Sequence, residues 1–204
     1  MFVNEMSAAD DPLDYLVDEV SRRLDLVPVD ERGAFIGSEL PAVDRALSHI
    51  RIKGEASGPI FCEWGSGIGG VCGVAALNGF APRGIEIEPE LVRSARTLAS
   101  DLNLSMVFAE GTFLRAGDED LVTSAMKNTR LDFADDAWEK MDLLPRDCDV
   151  VFAYPWPGEE SFVDRVFARH ASPDALLVTF HDFDRVLAQR KLGRSAELYM
   201  MGWI

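Results

Sequence analysis

Apolar positions along the chain follow two spacings. Residues 12–27, PLDYLVDEVSRRLDLV, set Leu13, Leu16, Val17, Val20 and Leu24 on one helical stripe, with Asp11 as N-cap and Pro12 at the first helical position. A second stripe, Val43, Leu47 and Ile50, runs until KGEASGP interrupts it. From residue 59 the short apolar runs PIFCEW, RGIEI, SMVFA, CDVVFAY and DALLVTFHDF read as strands. Between them lie the helical patterns VCGVAALNGF, PELVRSARTLASDL and EESFVDRVFARHA, the last with Phe162, Val163, Val166 and Phe167 inward. This alternation predicts βαβ units and an α/β fold with a doubly wound, mostly parallel sheet. Residues 115–147 are polar and acidic, with helical spacing at Leu121 and Ala125 and again at Trp138 and Met141, and predict a long helical crossover. The end, RVLAQRKLGRSAELYMMGWI, reads as two strands about GRS, an antiparallel hairpin closing the sheet edge. Residues 1–54 are thus expected to form an N-terminal helical extension, and residues 55–204 a single α/β domain.

Composition narrows the partners. At 204 residues and 48% hydrophobic content the chain can build one full core. Its formal charge of -15, from 35 acidic and 20 basic side chains, argues against a nucleic-acid partner, whose phosphates it would repel. Cys62, Cys72 and Cys148 are odd in number and lack C-x-x-C or metal spacing, so they read as small buried apolar groups in a reducing compartment. The three histidines show no metal spacing either. The first residues lack a basic segment followed by an apolar one, and no apolar run approaches the ~20 residues of a membrane span. A cytoplasmic, soluble protein without a membrane partner is the expectation.

The candidate chemistry centres on Cys62–Gly70, CEWGSGIGG, at the end of the first strand. Gly65, Gly67 and Gly70 fit G-x-G-x-x-G, while Gly65, Gly67 and Gly69 equally fit G-x-G-x-G. Either spacing lets backbone approach a ligand beside a helix N-terminus. Glu63, two residues before Gly65, argues against a dinucleotide, whose pyrophosphate a carboxylate there would repel. S-adenosylmethionine has no phosphate and carries an ammonium and a sulfonium group, which that carboxylate would attract. A mere capping role for Glu63 is disfavoured here, since a carboxylate at the buried end of an apolar strand is costly without a partner. Glu86 follows Gly65 by 21 residues, the spacing of an acid that accepts ribose hydroxyls.

With these residues in place, Ile60 to Phe183 resembles the class I S-adenosylmethionine-dependent methyltransferases, CEWGSGIGG standing as their first motif and GIEIEPELVRSA as their ribose-binding motif. The resemblance implies a Rossmann-like fold with S-adenosylmethionine as cofactor. It implies that Glu63, Gly65, Ser66, Gly67 and Gly69 surround the methionine part, that Glu86 holds the ribose, and that Ile87 lies beside the adenine. The segment SMVFAEGTFL is similar to the one that supplies an aspartate to the adenine amino group; Gly111 and Thr112 occupy that place, with the threonine hydroxyl as acceptor.

The acceptor side is expected in DVVFAYPWPGEE, residues 149–160, and at the end of VTFHDF. Tyr154 and Trp156 could wall a lysine side chain or cationic centre, or Pro155 and Pro157 could stiffen a loop whose aromatics cover the core. His181, followed by Asp182, could take a proton from an amine or hydroxyl, or bond loop backbone. His49 and His170 sit in helical patterns. The chain is also similar to small protein-lysine methyltransferases that modify mitochondrial membrane proteins, and to their prokaryotic relatives, through FIGSELPAVDRAL, the fourth strand and VTFHDF. That resemblance implies that GAFIGSELP folds over the cofactor as a lid. The expected function is methyl transfer to an amine or hydroxyl of a small molecule or protein side chain, with Tyr154, His181 and Asp182 as catalytic candidates. A non-catalytic S-adenosylmethionine-binding protein and an NAD(P)-dependent oxidoreductase are the alternatives.

Overall fold

The computed structural model describes residues 11–26, 39–122, 133, 136–181 and 184–204. Along the chain come α1 (Pro12–Leu26), α2 (Leu40–Lys53), β1 (Ile60–Trp64), α3 (Gly70–Leu77), β2 (Ala81–Glu86), α4 (Pro89–Asp101), β3 (Val107–Glu110), α5 (Ala137–Lys140), β4 (Val150–Ala153), α6 (Glu160–His170), β5 (Leu176–Phe180), β6 (Val186–Lys191) and β7 (Leu198–Trp203). The strands form one sheet in the order β3-β2-β1-β4-β5-β6-β7. The first five pair in parallel, and β6 and β7 add an antiparallel edge. The hairpin read from the final residues is therefore present, with a register shift between Ala188 and Gln189.

Strand alternation divides the core between the two faces of the sheet. On one face Phe61, Val150, Phe152, Leu176 and Val178 meet the apolar stripes of α1 to α4. On the other, Cys62, Trp64, Val151 and Leu177 meet α5 and α6. The central strands are buried on both sides, which is why their sequences read as unbroken apolar runs. Each wholly buried large side chain, such as Phe61, Phe152 or Phe167, contributes roughly 1.5–3 kcal/mol of transfer free energy.

The N-terminal helices join this core directly. Asp11 Oδ1 accepts from Leu13 N at 2.9 Å, as its N-cap position requires. Leu16 lies where a Cβ on Gly73 would stand 2.8 Å away, and Leu40 where one on Gly70 would stand 3.3 Å away, so the small face of α3 admits both helices. Arg23 bridges Glu19 and Asp101, tying α1 to the end of α4.

The crossover departs from expectation. Its described residues form only short pieces: a 3₁₀ turn at Asp118–Leu121, the single turn of α5, and a second 3₁₀ turn at Pro145–Asp147. The reason is local. Gly117, at φ +99°, and the extended Val122 bound the first turn, and Pro145 opens the last. Trp138 is wholly buried, and its indole N–H bonds Phe113 O at 2.8 Å. Ala125 lies outside the described residues, as does GAFIGSELP up to Ser38. Among the described residues, no helix is long and apolar enough to cross a membrane.

Candidate functional site

Strand order runs outward in opposite directions from β1 and β4, so the carboxyl ends of these strands open on a crevice. The glycine loop occupies it. Gly65, Gly67 and Gly69 all take left-handed backbone, at φ +74°, +52° and +86°. Gly69 is also steric: a Cβ there would stand 2.6 Å from Phe108 Cζ. The same ring lies 2.5 Å from where a Cβ on Gly84 would stand, so Phe108 fills the floor under the loop.

Four of the loop's amides are taken within the protein. Gly65 N and Ser66 N both donate to Ile85 O at 2.9 Å, and Gly69 N donates to Ser66 O at 2.8 Å. Gly67 N donates to Glu86 Oε2 at 2.8 Å. Glu86 Oε1 accepts from Ile87 N at 2.8 Å and Glu88 N at 3.0 Å, so one carboxylate holds both the loop and the turn after β2. Burial raises the Glu86 carboxyl above its ordinary range, against those three amide bonds.

Glu63 is placed differently from its sequence reading. It is buried, and its Oε2 accepts from Cys72 N at 3.0 Å, capping the first turn of α3. The capping role set aside on sequence grounds is the one the structure displays, because the helix supplies the partner whose absence would have made burial costly. Desolvation pushes the Glu63 carboxyl up to about 8.

On the adjoining side, Ile87 is half-buried, and Gly111 N donates to Glu86 O at 2.9 Å. Thr112 is buried, its hydroxyl accepting from Leu114 N at 3.0 Å and its carbonyl from Ala137 N at 3.1 Å. The threonine therefore ties the segment after β3 to α5. Trp64, the last residue of β1, stacks on Phe113 with centroids 4.6 Å apart.

The acceptor candidates are less tightly grouped. The Tyr154 ring is half-buried against Phe180, centroids 5.0 Å apart, whereas Trp156 is 43% exposed. Of the two readings of YPWP, Tyr154 thus serves the core and Trp156 faces solvent. His181 Nε2 and Thr179 Oγ1 lie 2.9 Å apart, and its ring meets Trp203 edge-on at 5.1 Å. Asp182 lies outside the described residues. His49 is exposed on α2, and His170 Nε2 bonds the buried Asp118 at 2.8 Å. Among the described residues, no group of three or more His, Cys, Asp or Glu could hold a metal ion.

Sequence reasoning missed Trp64, Phe108 and Trp203. Period-two alternation puts Trp64 on the face opposite Glu63 and could have singled it out. The place of Trp203 beside His181 depends on hairpin register and carried no local signal.

No protein-family model matches the chain, and no curated protein does. Solved structures do. An O-methyltransferase from Bacillus cereus, in complex with SAH, superposes with a TM-score of 0.51 at 14% identity, over 87% of this chain and 69% of that one. The chain has the class I methyltransferase fold. A candidate O-methyltransferase from Klebsiella pneumoniae shares this methyltransferase fold with a TM-score of 0.50 at 14% identity, over 87% and 68%. An RNA methyltransferase from Salinibacter ruber, in complex with S-adenosyl-L-homocysteine, matches at 0.47 and 20% identity, over 71% and 76%.

Proposed function

We propose that the protein is an S-adenosylmethionine-dependent methyltransferase acting on an amine or hydroxyl of a small molecule or protein side chain. The internal bonding of the loop amides carries this reading. A dinucleotide needs such amides for its pyrophosphate, and here Ile85 O, Glu86 and Glu63 already take those of Gly65, Ser66, Gly67 and Cys72. A ligand without phosphate has no such need.

The residues present suit that cofactor. Gly65 is exposed, and nothing lies within 4 Å of where its side chain would begin. On either side of it in the chain, Trp64 Nε1 and Ser66 Oγ are buried without a hydrogen-bond partner, leaving polar capacity unused beside the loop. Glu86, with three bonds, retains room for one more donor such as a ribose hydroxyl. Gly65, Ser66, Gly67 and Gly69 would hold the methionine part, Glu86 and Ile87 the nucleoside, and Gly111 and Thr112 the adenine side. Glu63 would act by fixing the loop to α3 and by offering a titratable carboxyl under a cationic ligand. When bound, S-adenosylmethionine supplies an electrophilic methyl group. The chain's own task is then to align the acceptor, exclude water and remove a proton. His181, oriented by Thr179 and Trp203, is the residue we assign to the proton, with Tyr154 lining the approach.

Incubation with methyl-labelled S-adenosylmethionine and separate panels of amines, hydroxyl compounds, proteins and RNA tests the reading. Label in amine, hydroxyl or protein fractions is expected. Label in RNA alone would overturn the acceptor class, and binding without transfer to any panel would favour the non-catalytic alternative.

A further inference from the structure

On the face of the sheet that carries Leu177, α6 and the β6–β7 hairpin border a cavity of about 630 Å³. Neither the glycine loop nor Glu86, Tyr154 or His181 lines it. Among the described residues, four cations converge on its wall, Arg165, Arg169, Lys191 and Arg194, with Asp164 as the one carboxylate. That concentration is notable in a chain of formal charge -15.

The four are not equally satisfied. Arg169 pairs with Asp120 at 2.6 Å and Asp118 at 3.2 Å, so its charge is answered within the protein. Arg165 gives one N–H to Leu121 O at 2.8 Å. Lys191 is 5% exposed, and its ammonium donates to Ala171 O at the end of α6. Among the described residues, neither Lys191 nor Arg194 forms an ion pair with a carboxylate. The carbonyl contact places the ammonium at the favourable pole of α6 and uses one of its three donors. It does not supply a counter-charge, and a buried cation without one is costly. An anion in the cavity that Lys191 lines would supply it.

We propose that this cavity is a second ligand site, for a small molecule bearing a phosphate or comparable oxyanion held by Lys191, Arg194 and Arg165. Its volume lies within the ~300–1,000 Å³ typical of small-molecule sites, so the anionic group would be one end of a larger ligand. The proposal does not depend on the identity of the glycine-loop ligand.

Calorimetric titration of the full chain with inorganic pyrophosphate tests it, using wild type, Lys191→Met and Arg194→Glu. Arg194 is exposed, so its variant keeps the test open should Lys191→Met not fold. Saturable binding to wild type is expected, weakened at least about fivefold in each folded variant, as loss of a charge-assisted contact requires. No saturable binding, or a smaller loss in any folded variant, would overturn the proposal and leave Lys191 as a helix cap alone.

Discussion

The two halves of the crevice are built by different means. Around the ends of β1 and β2, hydrogen bonds to backbone amides fix the glycine loop and the turn after β2: Ile85 O takes two amides, the Glu86 carboxyl three and the Glu63 carboxyl one. Beyond β4, Tyr154 and His181 are positioned by aromatic contacts with Phe180 and Trp203, and Trp203 is itself 53% exposed. The first half is closed by short-range hydrogen bonds in buried surroundings, which make it rigid. The second is an open ledge that can change side chains without disturbing the sheet. A constant ligand suits the first, and a variable one suits the second.

If that contrast holds, substitutions in the first half should cost stability and those in the second should not. The largest effect is expected for Glu86→Ala, which strips three amides, one buried and two part-buried, of their acceptor. Denaturant unfolding should show a loss of roughly 4 kcal/mol. A loss below about 1 kcal/mol would mean the loop holds itself. Gly69→Ala combines left-handed backbone with a clash against Phe108 and should cost roughly 3 kcal/mol. Gly65→Ala has the same backbone strain with open space around it and should cost only about 1 kcal/mol. Equal losses at the two positions would remove the steric role of Phe108.

Glu63 gives a pH signature. Burial raises its carboxyl from 4.5 to about 8, so across that interval the folded chain holds a proton that the unfolded chain has released. Its contribution to stability is full below 4.5 and is lost as pH rises through 8. Relative to Glu63→Gln, the wild type should lose roughly 2 kcal/mol between pH 6 and 8 in thermal or denaturant melts. Parallel pH profiles for the two proteins would contradict the buried, capping placement. The smallest effect belongs to the ledge. Trp203→Ala should change stability by less than about 1 kcal/mol and leave cofactor affinity intact while raising the acceptor KM.

The sequence made the first half legible because its signals are local. Strand alternation, the three glycines and the position of Glu86 lie within one βαβ unit, and each leaves a spacing. Even there, the partner of Glu63 was missed, although α3's opening amides needed acceptors and Cys72 lies only nine residues on. Phe108 escaped because its meaning comes from contact with Gly69 and Gly84 across the sheet. The ledge was only half legible: Tyr154 and His181 mark strand ends, but Trp203 reaches His181 through hairpin register. In the described part of the crossover, Leu121 and Trp138 serve separate single turns, the first bounded by Gly117 and Val122 and the second by Asp136 and Met141, so their helical spacing marked no longer helix there.

Parallel calorimetric titration with S-adenosylmethionine, S-adenosylhomocysteine, NAD and NADP tests the central claim most directly. The internally bonded loop amides predict saturable binding of the first two, with no displacement of either by NAD or NADP. Binding of NAD or NADP in their place would contradict that bonding and the methyltransferase function proposed from it.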